Sequence, residues 1–219
     1  MAINYNPTTV SDGLVLALDA ANTRSYSGSG TTWTDISYRG NNGTLTNGPT
    51  YSSANGGSIV FDGVNDYTLI NLSKETIGST LTISIWVSCI GAQTSVGIFQ
   101  VANGLTDTNP WILLQRTNST TVSWYLNAQY RITNTISDSS YTNLTLTYNG
   151  TTWIVYKNGI SNGNYVGDLG SFFGNSIWLG NGYNGYFSGN IAQVSIYNRA
   201  LTADEILQNY NALKGRFGL

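Results

Sequence analysis

The residues able to do chemistry in this chain are most informative by their scarcity. Its 219 residues include no histidine, a single cysteine, two glutamates and nine aspartates. Without an imidazole, the usual general base and the commonest zinc ligand are missing, and Ser-His-Asp and Cys-His sites are excluded. Glycoside hydrolysis needs two carboxylates flanking one bond. Glu75 lies in the loop-like SKETIGS, Glu205 reads as a helix cap, and Asp12, Asp19, Asp35, Asp62, Asp66, Asp107, Asp138, Asp168 and Asp204 are scattered, none pairing with another at strand period two. No catalytic residue is named, and the chain is expected not to be an enzyme; the alternative is an atypical glycoside hydrolase or lyase using Tyr or Arg with distant carboxylates.

Two binding chemistries are left. Asp62, Asn65 and Asp66, in FDGVND, offer hard oxygens to calcium within one turn. The same spacing suits an Asx-type turn in which the carboxylates bond their own backbone amides. The turn is the favoured reading, since calcium takes six or more oxygens and this segment supplies too few; the expectation is no cofactor, with calcium as the alternative. Neutral glycans are held by aromatic faces and by amide and hydroxyl groups. The densest such cluster is WLGNGYNGYFSGN, Trp178 to Asn190, where Asn181, Tyr183, Asn184 and Tyr186 are the candidate contacts and Asn118, Tyr125, Asn127 and Tyr130 could extend the surface. In the competing reading Trp178 and Phe187 are core, and the tyrosines cap the fold or meet another protein. Trp33, Trp86, Trp111, Trp124 and Trp153 are expected to pack.

The elements that would position these groups are strands. Leu14, Leu16 and Leu18 alternate through LVLALD, and SIVFDGVNDYTLI reads as strand, turn, strand, with Gly63 and Asn65 available for positive φ. Leu81 to Val87 puts Leu81, Ile83, Ile85 and Val87 on one face and Trp86 on the other. Val96 to Gln100, Trp111 to Arg116, Val122 to Leu126 and Gln129 to Thr133 follow as strands, and Ser176 to Leu179 is another. Asn149-Gly150 is expected to form a type I′ hairpin turn, and Asn158-Gly159 extends it to a three-stranded meander. The long turn-rich stretch Asn22 to Gly43 has Trp33 and Ile36 as its expected anchors.

The C-terminal stretch, Gly189 to Gly215, joins a strand with Ala192, Val194 and Ile196 on one face to the one convincing helix. Thr202 and Glu205 form a capping box, Ile206, Leu207, Tyr210 and Leu213 make an apolar stripe, and Gly215 can end the helix. The opposite face of the strand is expected to meet water or a partner.

The phrases IAQVSIYNRALTADEI, FDGVNDYTLI, LTISIWV and YNGTTWIVYKNG, in this order, resemble the LamG-like, concanavalin A-like jelly rolls. The resemblance covers the chain from about Gly13 and implies an all-β jelly-roll sandwich of two antiparallel sheets with one short C-terminal helix. It divides the chain into an arm, 1–12, and a single domain, 13–219. Where many members read Ile-Asp-Glu before the last long strand, this chain has Ile191, Ala192 and Gln193, which withholds carboxylates there. TDIS followed by GNNGTLTNGPTY is similar to copies in bacteriophage virion proteins. The resemblance thus implies a lectin-like decoration or receptor-binding protein of a virion surface, or a purely structural virion subunit, with host glycans and other virion proteins as partners. Fold-level likeness transfers no specificity.

Composition agrees with a binding surface. The chain is 41% hydrophobic and only 9% charged, with net charge −2. That gives no basic field for nucleic acid, and no apolar run suits membrane insertion. The N-terminus lacks a signal-peptide pattern, so a virion-surface or extracellular location is expected without that route. Cys89 is expected to be a buried or strand-edge thiol. The N-x-[ST] sequons at Asn42, Asn71, Asn118, Asn143 and Asn149 follow from an Asn/Thr-rich composition. The polar arm is a disordered terminus or orders against a neighbouring subunit, which leaves a homo-oligomer open.

Overall fold

The computed structural model describes residues 7–72, 79–102, 112–126, 129–168, 176–182 and 185–219. Their first part forms β1 (Leu14–Asp19), β2 (Thr32–Trp33), β3 (Gly43–Thr46), β4 (Thr50–Ser52), β5 (Ser58–Asp62) and β6 (Tyr67–Asn71). The middle forms β7 (Leu81–Cys89), β8 (Val96–Ala102), β9 (Ile112–Asn118), β10 (Thr121–Leu126) and β11 (Gln129–Thr135). Then come β12 (Thr142–Tyr148), β13 (Thr152–Lys157), β14 (Ile160–Val166), β15 (Ser176–Leu179), β16 (Asn181–Gly182), β17 (Gly185–Tyr186), β18 (Ser188–Tyr197) and the helix α1 (Ala203–Leu213).

Two antiparallel sheets result. The first runs β14-β13-β12-β7-β18-β5-β4, with β1 also on β18, and the second runs β11-β10-β9-β8-β15-β6-β3-β2. β16 and β17 form a separate hairpin. Leu81, Ile83, Ile85, Val87 and Cys89 of β7 meet Ile98, Phe99, Val101, Leu114 and Trp124 of the second sheet in one core. The architecture is the jelly-roll sandwich that the family resemblance implies. Cys89 is core-facing, and burial pushes its thiol up to about 11.

The outer face of the first sheet differs from expectation. Around Trp86, Asn143 and Ser195, on β7, β12 and β18, that face is covered by the chain's own helix. Trp86 stacks on Tyr210 at 5.6 Å and on Phe217 at 4.3 Å between ring centroids. Beside it lies a polar layer: Asn143 Nδ2 and Thr145 Oγ1 both donate to Ser84 Oγ at 3.0 Å, and Asn209 Nδ2 donates to Tyr197 OH at 3.1 Å. Burial is the main reason the Tyr197 phenol is pushed up to about 12. The end of the expected arm docks here too, with the Val10 amide donating to Asn209 Oδ1 at 2.7 Å and Gln208 Nε2 to the Thr8 carbonyl at 2.7 Å.

The capping box at Thr202 and Glu205 is present. Ile206 is buried, whereas Leu207 is 38% exposed, so the stripe is narrower than its spacing suggests. The α-helix stops at Leu213, continues as a 3₁₀ turn through Phe217, and ends at Gly218 with φ 70°, rather than at Gly215. A bulge between Leu14 and Leu16 takes Leu14 out of the main core to the cluster of Tyr197, Leu201 and Ile206. In the meander, the turn with two positive φ values is Asn158-Gly159 (52° and 78°). At Asn149-Gly150 only the glycine is positive, and the Asn149 carboxamide instead accepts from the Thr151 and Thr152 amides. Likewise Gly63, not Asn65, supplies the positive φ after β5.

Candidate functional site

The outer face of the second sheet carries the candidate site. Ile177 and Leu179 of β15 face the core, which turns Trp178 outward. Cross-strand pairing then builds a row over five strands: Leu69 on β6, Trp178 on β15, Gln100 on β8, Leu113 on β9 and Tyr125 on β10. Tyr67 closes one end, its ring tilted against Trp178 at 5.3 Å. Trp178 is thus buried, as the core reading has it, but on the outer side of its sheet and outside the main core cluster. Phe187, by contrast, is fully buried between the sheets.

Gln100 is the unusual member of the row. It is 1% exposed, yet neither its Nε2 nor its Oε1 has a hydrogen-bond partner, and the Trp178 indole Nε1, 9% exposed, has none either. An unmet buried polar group costs about 1–3 kcal/mol, so such groups mark strain or a site for water or ligand. Gln100 is the one buried carboxamide among the described residues whose nitrogen and oxygen are both unspent. Trp33 and Trp124 also have unpaired indole nitrogens, but these lie in the core.

The β16–β17 hairpin, Asn181 to Tyr186, lies across this face. Asn181 pairs with Tyr186 and Gly182 with Gly185. A Cβ on Gly97 would fall 2.4 Å from the Gly182 Cα, and one on Gly182 would fall 2.7 Å from the Gly97 Cα and 3.3 Å from Leu113. Only two glycines allow so close an approach of backbones. Gln93 fixes the returning strand, its Nε2 donating to the Tyr186 carbonyl at 3.3 Å and its Oε1 accepting from the Ser188 amide at 2.9 Å.

Of the candidate sugar contacts, Asn181 is buried and Tyr186 half-buried, both beside this row. Tyr183 and Asn184 lie outside the described residues, as do Asn127 and the side chain of Tyr130. Tyr125 belongs to the row itself. Asn118 does not: its Oδ1 accepts from the Thr120 amide in the β9–β10 turn. Gln100, Tyr67 and Leu113 were not singled out by the sequence. The available signal was a glutamine inside the apolar run VGIFQVA.

At the candidate calcium turn, Asp62 Oδ1 accepts from the Val64 amide at 2.7 Å and Asp66 Oδ2 from the Asp62 amide at 3.1 Å. Asn65 contributes its carbonyl to Asn47 Nδ2 at 2.9 Å. These are the hydrogen bonds of an Asx-type turn. Burial raises the Asp66 carboxyl above its ordinary range; the bond from the Asp62 amide opposes this, and the Asp62 charge adds to it. No group of three or more His, Cys, Asp or Glu side chains suited to a metal occurs among the described residues.

Other carboxylates are also committed. Asp19 pairs with Arg216 at 2.9 Å, Asp138 with the buried Arg116, and Glu205 with Arg199 at 2.6 Å. Asp35 accepts from the Ala17, Ser37 and Asn41 amides at 2.9–3.0 Å and from the Ser37 hydroxyl at 2.8 Å. The anchors of the long loop are therefore Trp33 and Asp35, with Ile36 only half-buried.

Residues 61–207 match the family model of the concanavalin A-like lectin/glucanase superfamily, and the chain belongs to that family. Among solved structures it resembles the botulinum neurotoxin serotype D binding domain, with TM-score 0.71 and 15% identity over 92% of this chain and 52% of that one. Trypanosoma rangeli sialidase aligns with TM-score 0.74 and 15% identity over 93% of this chain and 33% of the enzyme. Domain 4 of an extracellular arabinanase from Geobacillus stearothermophilus, in complex with arabinotriose, aligns with TM-score 0.68 and 20% identity over 90% of this chain and 98% of that domain. The chain thus spans about half of the toxin chain and a third of the sialidase. At such identities the likeness shows the fold alone. No curated protein matches the sequence. No helix among the described residues is long and apolar enough to cross a membrane.

Proposed function

We propose that this is a non-enzymatic, lectin-like module that binds a neutral glycan on the outer face of its second sheet, under the Asn181–Tyr186 hairpin. The observation that carries the reading is Gln100, whose carboxamide has a free donor and a free acceptor beside the Trp178 indole. A carboxamide can bridge two neighbouring hydroxyls of a sugar, and Trp178 and Tyr67 supply apolar faces for its C–H side. The side chains of the row are uncharged, which suits an uncharged ligand. The missing imidazole and the carboxylates spent on structural bonds support binding without turnover.

The module is read as part of a bacteriophage virion surface, meeting host glycans and neighbouring virion proteins. The likeness of the Thr34–Ser37 and Gly40–Tyr51 phrases to virion jelly rolls supports this half. Binding is expected to be independent of calcium, because Asp62 and Asp66 already accept from backbone amides. The test is a glycan array with the purified chain, run with calcium and with chelator, beside Tyr186→Ala and Gln100→Met. Loss of neutral-glycan binding in Gln100→Met, with no effect of chelator, is the expected result. Absence of binding to any neutral glycan contradicts the lectin reading and leaves a structural subunit.

A further inference from the structure

A second surface lies on the loop between β2 and β3. Tyr38 has φ 66°, the left-handed region, and its side chain stands 86% exposed. The other non-glycine residues with positive φ are asparagines and serines, which tolerate that region far better than a bulky aromatic. Glycine or asparagine at position 38 would make the same turn with less strain. A strained bulky residue persists only where its surroundings over-determine it. Here they do: Asp35 gathers three backbone amides and a hydroxyl beneath the tip, Asn42 Oδ1 accepts from the Asp35 amide at 2.9 Å, and Asn41 Nδ2 donates to the Val15 carbonyl at 2.8 Å. These hydrogen bonds pin the loop at its base, while its tip holds a tyrosine in solvent in a strained backbone conformation.

Charge says what such a tip would meet. Arg116, Arg199 and Arg216 are ion-paired, Lys157 donates to the Thr135 carbonyl, and Lys214 sits over the Tyr210 ring. Among the described residues the side chains of Arg24 and Arg39 are the cations without a partner, and both are exposed. Arg39 follows Tyr38 directly. Arg24 lies on the neighbouring loop, which is stitched to this one by the Thr34 amide donating to the Ser25 carbonyl at 2.7 Å and Ser25 Oγ to the Thr34 carbonyl at 2.6 Å. The carboxylate of this loop, Asp35, is turned inward and fully used. In a chain of net charge −2, an unpaired cation, Arg39, thus directly follows the displayed ring.

We infer that the Tyr38–Arg39 tip is a binding site for a carboxylated sugar, separate from the Gln100 face and resting on different residues. The ring of such a sugar stacks on Tyr38, and its carboxylate takes the planar fork of Arg39, with Arg24 adding to the local field. A tip that contacts its ligand from one side binds weakly, with Kd on the order of 1 mM.

Ligand-observed and chemical-shift NMR with 3′-sialyllactose, tri-galacturonate and lactose tests this. Both acidic sugars should bind the wild-type chain, with shifts at Tyr38 that lactose does not produce. Tyr38→Asn keeps a residue that accepts the backbone conformation, so it should abolish those shifts while raising Tm by about 2–4 °C. Arg39→Gln should weaken binding about tenfold or more without lowering Tm. Gln100→Met should leave acidic-sugar binding unchanged, which separates this site from the neutral-glycan one. The inference is overturned if neither acidic sugar binds at about 10 mM, if lactose binds equally at Tyr38, or if Tyr38→Asn binds as wild type. It is also overturned if sedimentation shows that Tyr38 mediates self-association while no sugar binds, which makes the tip a contact between copies.

Discussion

Single residues carry the functional argument through what they leave undone. Gln100 is buried with both ends of its carboxamide unspent, whereas Asp35, equally buried, spends its carboxylate on four donors. The two therefore respond oppositely to substitution. Gln100→Met keeps the length of the side chain and removes an unmet donor and acceptor, so stability should hold or rise by about 1 kcal/mol. Asp35→Ala strands buried amides under the loop and should cost about 3 kcal/mol, seen as a lower urea midpoint at unchanged m-value. A Gln100→Met variant that loses stability as Asp35→Ala does would mark Gln100 as a structural residue.

At the scale of elements, the C-terminal helix decides more than its length suggests. It turns the outer face of the first sheet into a second interior, with Trp86 under Tyr210 and Phe217. Its start is fixed by Glu205, which caps the Thr202 amide at 2.8 Å and receives two guanidinium bonds from Arg199. The Arg199 hydrogen bonds, then that from the Thr202 amide, lower the Glu205 carboxyl from 4.5 to about 2. A depressed carboxyl contributes stability that is fully present above its unfolded value and lost as pH falls toward its folded one. Stability should therefore drop between about pH 4.5 and 2, and Glu205→Gln should flatten that part of a thermal-unfolding series. High salt should shrink the effect, since the pair is partly exposed.

Across the whole molecule, strands were legible because alternation in β1, β7 and β18 reports a buried face directly and turn residues bound the rest. The same signal misled where both faces are buried. Trp86 reads as an outer face because its cover, Tyr210 and Phe217, comes from the far end of the chain, and Gln193 and Ser195 do so because alternation does not report that α1 folds back over its own strand. Local turn chemistry was legible at the capping box and at Asn158-Gly159. It failed at Asn149, whose side chain bonds two backbone amides and so does not need a left-handed backbone. The candidate site was half legible. Local composition marks Asn181 and Tyr186 as candidates on a loop at the end of the sandwich, not on a hairpin, and Tyr67, Gln100, Leu113, Tyr125 and Trp178 are neighbours only through the pairing of five strands. No spacing in a linear sequence reports such a row.

The central claim, that the Gln100 face holds a neutral glycan, is tested most directly by titrating the wild-type chain and Gln100→Met with neutral oligosaccharides, arabinotriose among them, and following the Trp178 indole N–H by NMR. The predicted result is a saturable shift of that resonance in the wild-type chain and none in Gln100→Met, with both proteins equally folded. An indole resonance indifferent to every neutral sugar, or a response that survives in Gln100→Met, would contradict it.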